Sequence, residues 1–182
     1  MNRKGKSCTI EYDGASKGNP GRAGAGVVLR DESGSVVMRA REGVGSATNN
    51  VAEYRALNRG MKTAIEHGYT DVRVRGDSQL VSKQVQGEWR VNSPNLAPLY
   101  NEARDLKGQF QHFEMDHVPR QLTCACSIFE EYNSEADAEA NRGVYLRDTL
   151  MQMVKFKKTI FKRLQTEYQL TIKAITVMFL SV

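Results

Sequence analysis

The stretch Asp71-Val72-Arg73-Val74-Arg75-Gly76-Asp77-Ser78-Gln79 opens with a β-branched run that reads as a strand over Asp71 to Gly76. It closes on an aspartate just before a short helical segment, Gln79 to Gln86. The run Cys8-Thr9-Ile10-Glu11-Tyr12 has the same character and also ends on an aspartate, Asp13. If the two strands are parallel neighbours, both carboxylates emerge at one carboxyl edge of a sheet, where open α/β sheets place their ligands. Two more acidic residues, Glu53 and Asp137, fall near the starts of helical segments that can bring them to that edge.

Working outward, Gly14 to Gly26 reads as a glycine-rich turn around Asn19-Pro20-Gly21. Two strands follow, Ala25 to Arg30 and Ser35 to Glu42, joined by Asp31-Glu32-Ser33-Gly34 as a hairpin. Tyr54, Leu57, Met61, Ala64 and Ile65 recur at helical spacing, with Asn49 or Asn50 as the expected cap, Glu53 in the first turn and Gly68 as the stop. A further helix is expected over Asn95 to Lys107, a fifth strand over Phe110 to His117, and a last helix from Asn133 to about Leu146. The order β-β-β-α-β-α-α-β-α predicts an α/β fold: a five-stranded mixed sheet, its first three strands a meander and its later ones added by crossovers, flanked by helices and followed by a C-terminal tail.

The 182 residues suit one well-cored domain with a tail. The net charge of +5 comes from residues 149–182, where Lys155, Lys157, Lys158, Lys162, Arg163 and Lys173 face Glu167 alone; residues 1–148 balance at 20 basic and 20 acidic side chains. Overall charge therefore carries no argument for a nucleic-acid partner, and any such argument rests on the carboxylates. Cys8, Cys124 and Cys126 make neither a disulfide framework nor a zinc knuckle. The basic start, Met1 to Lys6, lacks the apolar segment of a secretory signal, so an intracellular setting, cytoplasmic or nuclear, is expected. Leu170 to Val182 is too short and too interrupted, at Lys173, for a membrane span.

The runs Tyr12-Asp13-Gly14-Ala15-Ser16-Lys17-Gly18-Asn19-Pro20-Gly21, Thr48-Asn49-Asn50-Val51-Ala52-Glu53-Tyr54, Gly76-Asp77-Ser78-Gln79 and Asn133-Ser134-Glu135-Ala136-Asp137 together resemble the motifs of type 1 ribonuclease H, in that family's order. Within it they resemble the archaeal and plant reverse-transcriptase-like branch. The resemblance implies a ribonuclease H-like fold over residues 7–148, preceded by a basic lead at 1–6. It implies an endonuclease that hydrolyses the RNA strand of RNA/DNA hybrids with two Mg²⁺ ions, Mn²⁺ substituting, acting as a monomer without a membrane. The ligand set would be Asp13, Glu53, Asp77 and Asp137, with Asp13 bridging both ions. The chemistry independently wants such a cluster. In-line displacement at phosphorus is helped by paired divalent ions, and hard oxygen donors select Mg²⁺ or Mn²⁺.

The same resemblance places Gly14, Ser16, Asn19, Asn49, Asn50 and Gln79 along the minor groove of a hybrid, where short polar groups reach the 2′-hydroxyls that distinguish RNA. Thr48 matches a contact to a DNA-strand phosphate. Arg120, in His117-Val118-Pro119-Arg120, matches the place of a residue near the scissile phosphate, and a loop-anchoring salt bridge is an equal reading. Trp89 reads as a core plug.

The sequence departs from the family between Arg120 and Asn133, where twelve residues, Gln121 to Tyr132, include an atypical apolar insertion at about 121–130, and again in the tail, 149–182. A longer loop costs little closure entropy, so Asp137 is expected to reach the site. The alternative is a non-catalytic hybrid-binding form in which the insertion displaces Asp137. A DNA-processing enzyme on the same fold is a third reading, which the 2′-hydroxyl-reading asparagines disfavour.

Overall fold

A computed structural model of the chain describes residues 5–118, 134–145 and 152–153. Its sheet is built from β1 (Ser7–Gly18), β2 (Gly21–Asp31), β3 (Val36–Ala47), β4 (Asp71–Gly76) and β5 (His112–His117), with a two-residue strand, β6 (Gln152–Met153), against β3. The helices are α1 (Asn49–Glu66), α2 (Gln79–Gln86), α3 (Ala97–Lys107) and α4 (Ser134–Gly143). Strand order is β5-β4-β1-β2-β3-β6. β1, β2 and β3 form the expected antiparallel meander, while β4 joins β1 and β5 joins β4 in parallel.

The stretch expected as a turn, Gly14 to Gly26, is mostly strand. β1 and β2 stay in register from Cys8↔Asp31 to Gly18↔Gly21, so only Asn19 and Pro20 remain outside the ladder. Turn chemistry was read over the whole glycine-rich segment, but a hairpin needs it only at the tip. The small residues on either side pair as strand because helices cover them.

One face of the sheet carries Ile10, Tyr12, Val27 and Leu29, all essentially buried against Tyr54, Leu57 and Met61 of α1. The opposite face receives α4. α1 is capped by Thr48, whose Oγ1 accepts from the Val51 N–H at 3.4 Å, not by Asn49 or Asn50, which become its first residues. Glu53 accordingly lies just past the first turn. The helix closes at His67, with Gly68 left-handed at φ 74°. α3 begins at Ala97, two residues later than the periodicity suggested, with Pro98 in its first turn. β5 starts at His112, because the N–H groups of Gln111 and His112 both donate to Thr70 O before the ladder begins. α4 ends at Gly143, and Leu146 lies outside the described residues.

Trp89 is not a core plug: it is 47% exposed. α2 stops at Gly87, left-handed at φ 86°, and the N–H groups of Glu88 and Trp89 both donate to Lys83 O, which turns the chain outward before the indole can reach the core. None of the described helices is long and apolar enough to cross a membrane.

Candidate active site

Parallel pairing of β1 with β4 runs to Glu11↔Arg75, so Asp13 and Asp77, each two residues further on, emerge side by side at the carboxyl edge. Glu53 reaches them because α1 lies directly on β1. At Gly14 a Cβ would overlap the backbone of Ala52 and Glu53, so only glycine allows this approach. One carboxylate oxygen from each of Asp13, Glu53 and Asp77 lies within 4.8 Å of the others. Asp13 and Glu53 are buried, at 1% and 2% exposure.

Asp137, in the first turn of α4, lies beside Asp13, near enough to raise its carboxyl pKa. The Asp137 carboxylate accepts from Asn141 Nδ2 at 3.2 Å, one helical turn on. The position of α4 brings Asp137 there. Its small residues Ala136, Ala140 and Gly143 face Gly24 and Gly26 of β2, and a Cβ on either strand glycine would overlap α4 backbone. Gly26 is the ladder partner of Asp13, so the helix crosses the sheet right beside that aspartate. In this arrangement Asp137 stands beside Asp13 at the edge. The insertion and Arg120 both lie outside the described residues.

Two ion-pair groups hold α4 down. Glu135 Oε2 accepts from Arg39 at 2.8 Å and meets Arg30 at 3.1 Å. Glu139, only 2% exposed, lies between Arg41 at 3.3 Å and Arg142 at 2.6 Å. Sequence reasoning missed these residues. The available signal was Glu135 and Glu139 at i, i+4 on a helix, matched by Arg39 and Arg41 on alternate positions of a strand.

Crowding has an electrostatic consequence. Burial first, then the charges of Glu53 and Asp77 and the neighbouring Asp137, push the Asp13 carboxyl up to about 10. Such a group favours a proton or a cation beside it. The Tyr12 hydroxyl, buried beneath the cluster without a hydrogen-bond partner, is pushed well above its ordinary range by desolvation and by Glu53 and Asp77, and stays a neutral phenol.

The polar residues expected along a minor groove gather at the same edge. The Asn49 N–H donates to Asn19 Oδ1 at 3.1 Å, tying the hairpin tip to the start of α1. Asn49 Nδ2 donates to Glu53 Oε1 at 3.4 Å. Ser16 on β1 and Thr48 and Asn50 at the start of α1 are half-buried, and Gln79 is exposed at the start of α2. His117 Nε2 is 3.1 Å from the backbone oxygen of Asp77.

Residues 11–143 match the family described as reverse transcriptase-like. The chain is 41% identical over 133 residues to a protein of Halobacterium salinarum named ribonuclease HI, an alignment covering 73% of this chain and 62% of that one. It is 45% identical over 112 residues to a bifunctional protein of Mycobacterium tuberculosis, spanning 31% of that protein's length. Among solved structures, the N-terminal ribonuclease H domain of that mycobacterial protein superposes with a TM-score of 0.68 at 39% identity, covering 76% of this chain and 98% of that one. LC11-RNase H1, solved in complex with an RNA/DNA hybrid, superposes with a TM-score of 0.66 at 33% identity, covering 75% and 96%.

Proposed function

This chain belongs to the reverse transcriptase-like family, and from that membership we propose that residues 7–148 form a ribonuclease H domain that hydrolyses the RNA strand of RNA/DNA hybrids. The observation that carries the reading is the convergence of Asp13, Glu53, Asp77 and Asp137 from four separate elements on one edge. Carboxylates crowded around the buried Asp13 and Glu53 repel one another, a poor structural device and a good cation site.

The donor set fits divalent metal. Every candidate ligand is a carboxylate oxygen, and burial with the charges of Glu53 and Asp77 beside it holds the Asp13 carboxyl above its ordinary range. Hard oxygen donors favour Mg²⁺, with Mn²⁺ substituting. Glu53 and Asp77 would hold one ion, Asp137 would complete the site of the other, and Asp13 would serve both. When bound, the ions lower the pKa of an attacking water and stabilise the oxygen that leaves phosphorus.

The chain's own residues orient the substrate. Ser16, Asn19, Asn49, Asn50 and Gln79, with the Gly14 backbone, offer short polar groups at the edge beside the carboxylates, suited to 2′-hydroxyls on the RNA strand. Thr48 has a further role as the α1 cap, compatible with a phosphate contact at a helix N-terminus. The proposal is tested with a hybrid labelled at one RNA end, incubated with Mg²⁺. Internal cleavage of the RNA alone, lost on chelation and in Asp13→Asn, is the expected result. An intact hybrid at high protein and Mn²⁺ would overturn it.

A further inference from the structure

A domain that carries 17 basic against 20 acidic side chains over residues 7–148 and binds a polyanion must present some cations that its own carboxylates do not neutralise. In this fold most arginines are spoken for: Arg30 by Glu11 and Glu135, Arg39 by Glu135, Arg41 and Arg142 by Glu139, Arg55 by Glu42, and Arg73 by Glu114 and Asp116. Lys17 and Arg22 differ. They are cross-strand partners near the tip of the β1–β2 hairpin, both exposed, and neither makes a salt bridge with a described carboxylate. Strand alternation puts Lys17 on the face of β1 that carries Asp13, and Arg22 on the face of β2 that carries Gly24 and Gly26. That is the face on which α4 lies.

An exposed aromatic ring completes the patch. Tyr145, just past α4, is 65% exposed, and the Arg22 guanidinium sits 5.8 Å from its ring centroid. A cation–π contact at this range holds the guanidinium near the ring while its N–H groups can still meet a planar anion. Lys17 is four residues beyond Asp13 on an extended strand, about 13 Å at the usual rise. This is within roughly four base-pair steps of a duplex.

We propose that Lys17, Arg22 and Tyr145 form a contact site for the sugar–phosphate backbone of the bound hybrid, to one side of the cleaved bond. The inference rests on the hybrid-cleaving reading above. The contacts are electrostatic and blind to base and sugar, so they supply affinity while the asparagine edge supplies discrimination.

The test measures binding of an RNA/DNA hybrid by the full chain carrying Asp13→Asn, so that the substrate stays intact, across a salt series. Adding Lys17→Ala and Arg22→Ala should make the log-affinity against log-salt slope shallower by about 2, one for each cation, and weaken duplex DNA binding in parallel. Tyr145→Ala should weaken binding and Tyr145→Phe should not. Neutral methylphosphonate linkages placed within four steps of the cleaved bond, in one strand and then the other, identify the strand: the contacted strand is the one whose neutralisation erases the difference between parent and double variant. An unchanged slope and affinity in the double variant, in a protein whose wild type cleaves hybrid, would overturn this site alone. A parent that binds no hybrid would overturn the site and the hybrid-cleaving reading together.

Discussion

Gly26 of β2 lies directly beneath Ala136 of α4, so close that a Cβ on Gly26 would overlap the Ala136 carbonyl oxygen and the Ala140 amide nitrogen. The helix that supplies Asp137 rests on bare strand backbone, next to the ladder partner of Asp13. Gly26→Ala should therefore lift α4 and carry Asp137 away from Asp13. We expect destabilisation of about 1–3 kcal/mol, the usual cost of overpacking, and a fall in kcat well beyond any change in KM. Steady-state kinetics beside thermal unfolding separate the two effects, and equal kcat values would refute the link.

The clamp on α4 predicts an asymmetry between its partners. Arg41→Met strands Glu139, which is 2% exposed, with only the more exposed Arg142. Glu139→Gln instead leaves arginines that reach water. The first should cost roughly 2–3 kcal/mol and the second about 1 kcal/mol. Denaturant titrations of both variants check this ordering, and a larger loss in Glu139→Gln would contradict it.

Asp13 should trade stability for activity. Its folded-state pKa, about 10, stands above the ordinary carboxylate value of 3.8. A group raised in this way contributes fully below the ordinary value, and that contribution is lost as pH rises toward the folded one. In metal-free buffer, Asp13→Asn should thus raise the melting temperature, increasingly so from pH 5 to pH 9, while abolishing cleavage. Mg²⁺ should stabilise wild type and not the variant. Calorimetry at several pH values, with and without Mg²⁺, gives the answer; a variant that melts lower at pH 9 without metal would count against the buried-charge account.

Asn19 offers a cleaner probe of substrate contact. Its side-chain oxygen accepts from the Asn49 N–H at an exposed position, where water can replace it. Asn19→Ala should leave the melting temperature nearly unchanged yet raise KM for hybrid roughly fivefold, the worth of about one hydrogen bond. If melting falls while KM holds, Asn19 is a hairpin anchor only.

Much of this was readable from local pattern. Strand and helix order, the parallel placement of Asp13 and Asp77, and the four motifs follow from residue periodicity and from short runs whose chemistry is local. The small-residue seat of α4 on Gly24 and Gly26, which sets Asp137 beside Asp13, was not legible. Gly24 falls in the expected turn, and Gly26 where that turn overlaps the expected strand, because glycine frees the backbone; its other use, removing a Cβ where a helix must approach, leaves the same mark in a sequence. Trp89 went astray for a related reason: an indole suits a core, but the left-handed Gly87 and the bonds to Lys83 O aim it outward.

The sequence by itself determined the order of the elements, the identity of the carboxylates and the chemistry they suit, since these depend on residue type and on neighbours a few positions away. Tertiary structure alone decided three things: that α4 seats on glycine backbone, that Glu135 and Glu139 neutralise Arg30, Arg39 and Arg41, and that Lys17 and Arg22 make no ion pair with a described carboxylate. Each is a distance between residues far apart in the chain, and such distances are set by how whole elements pack.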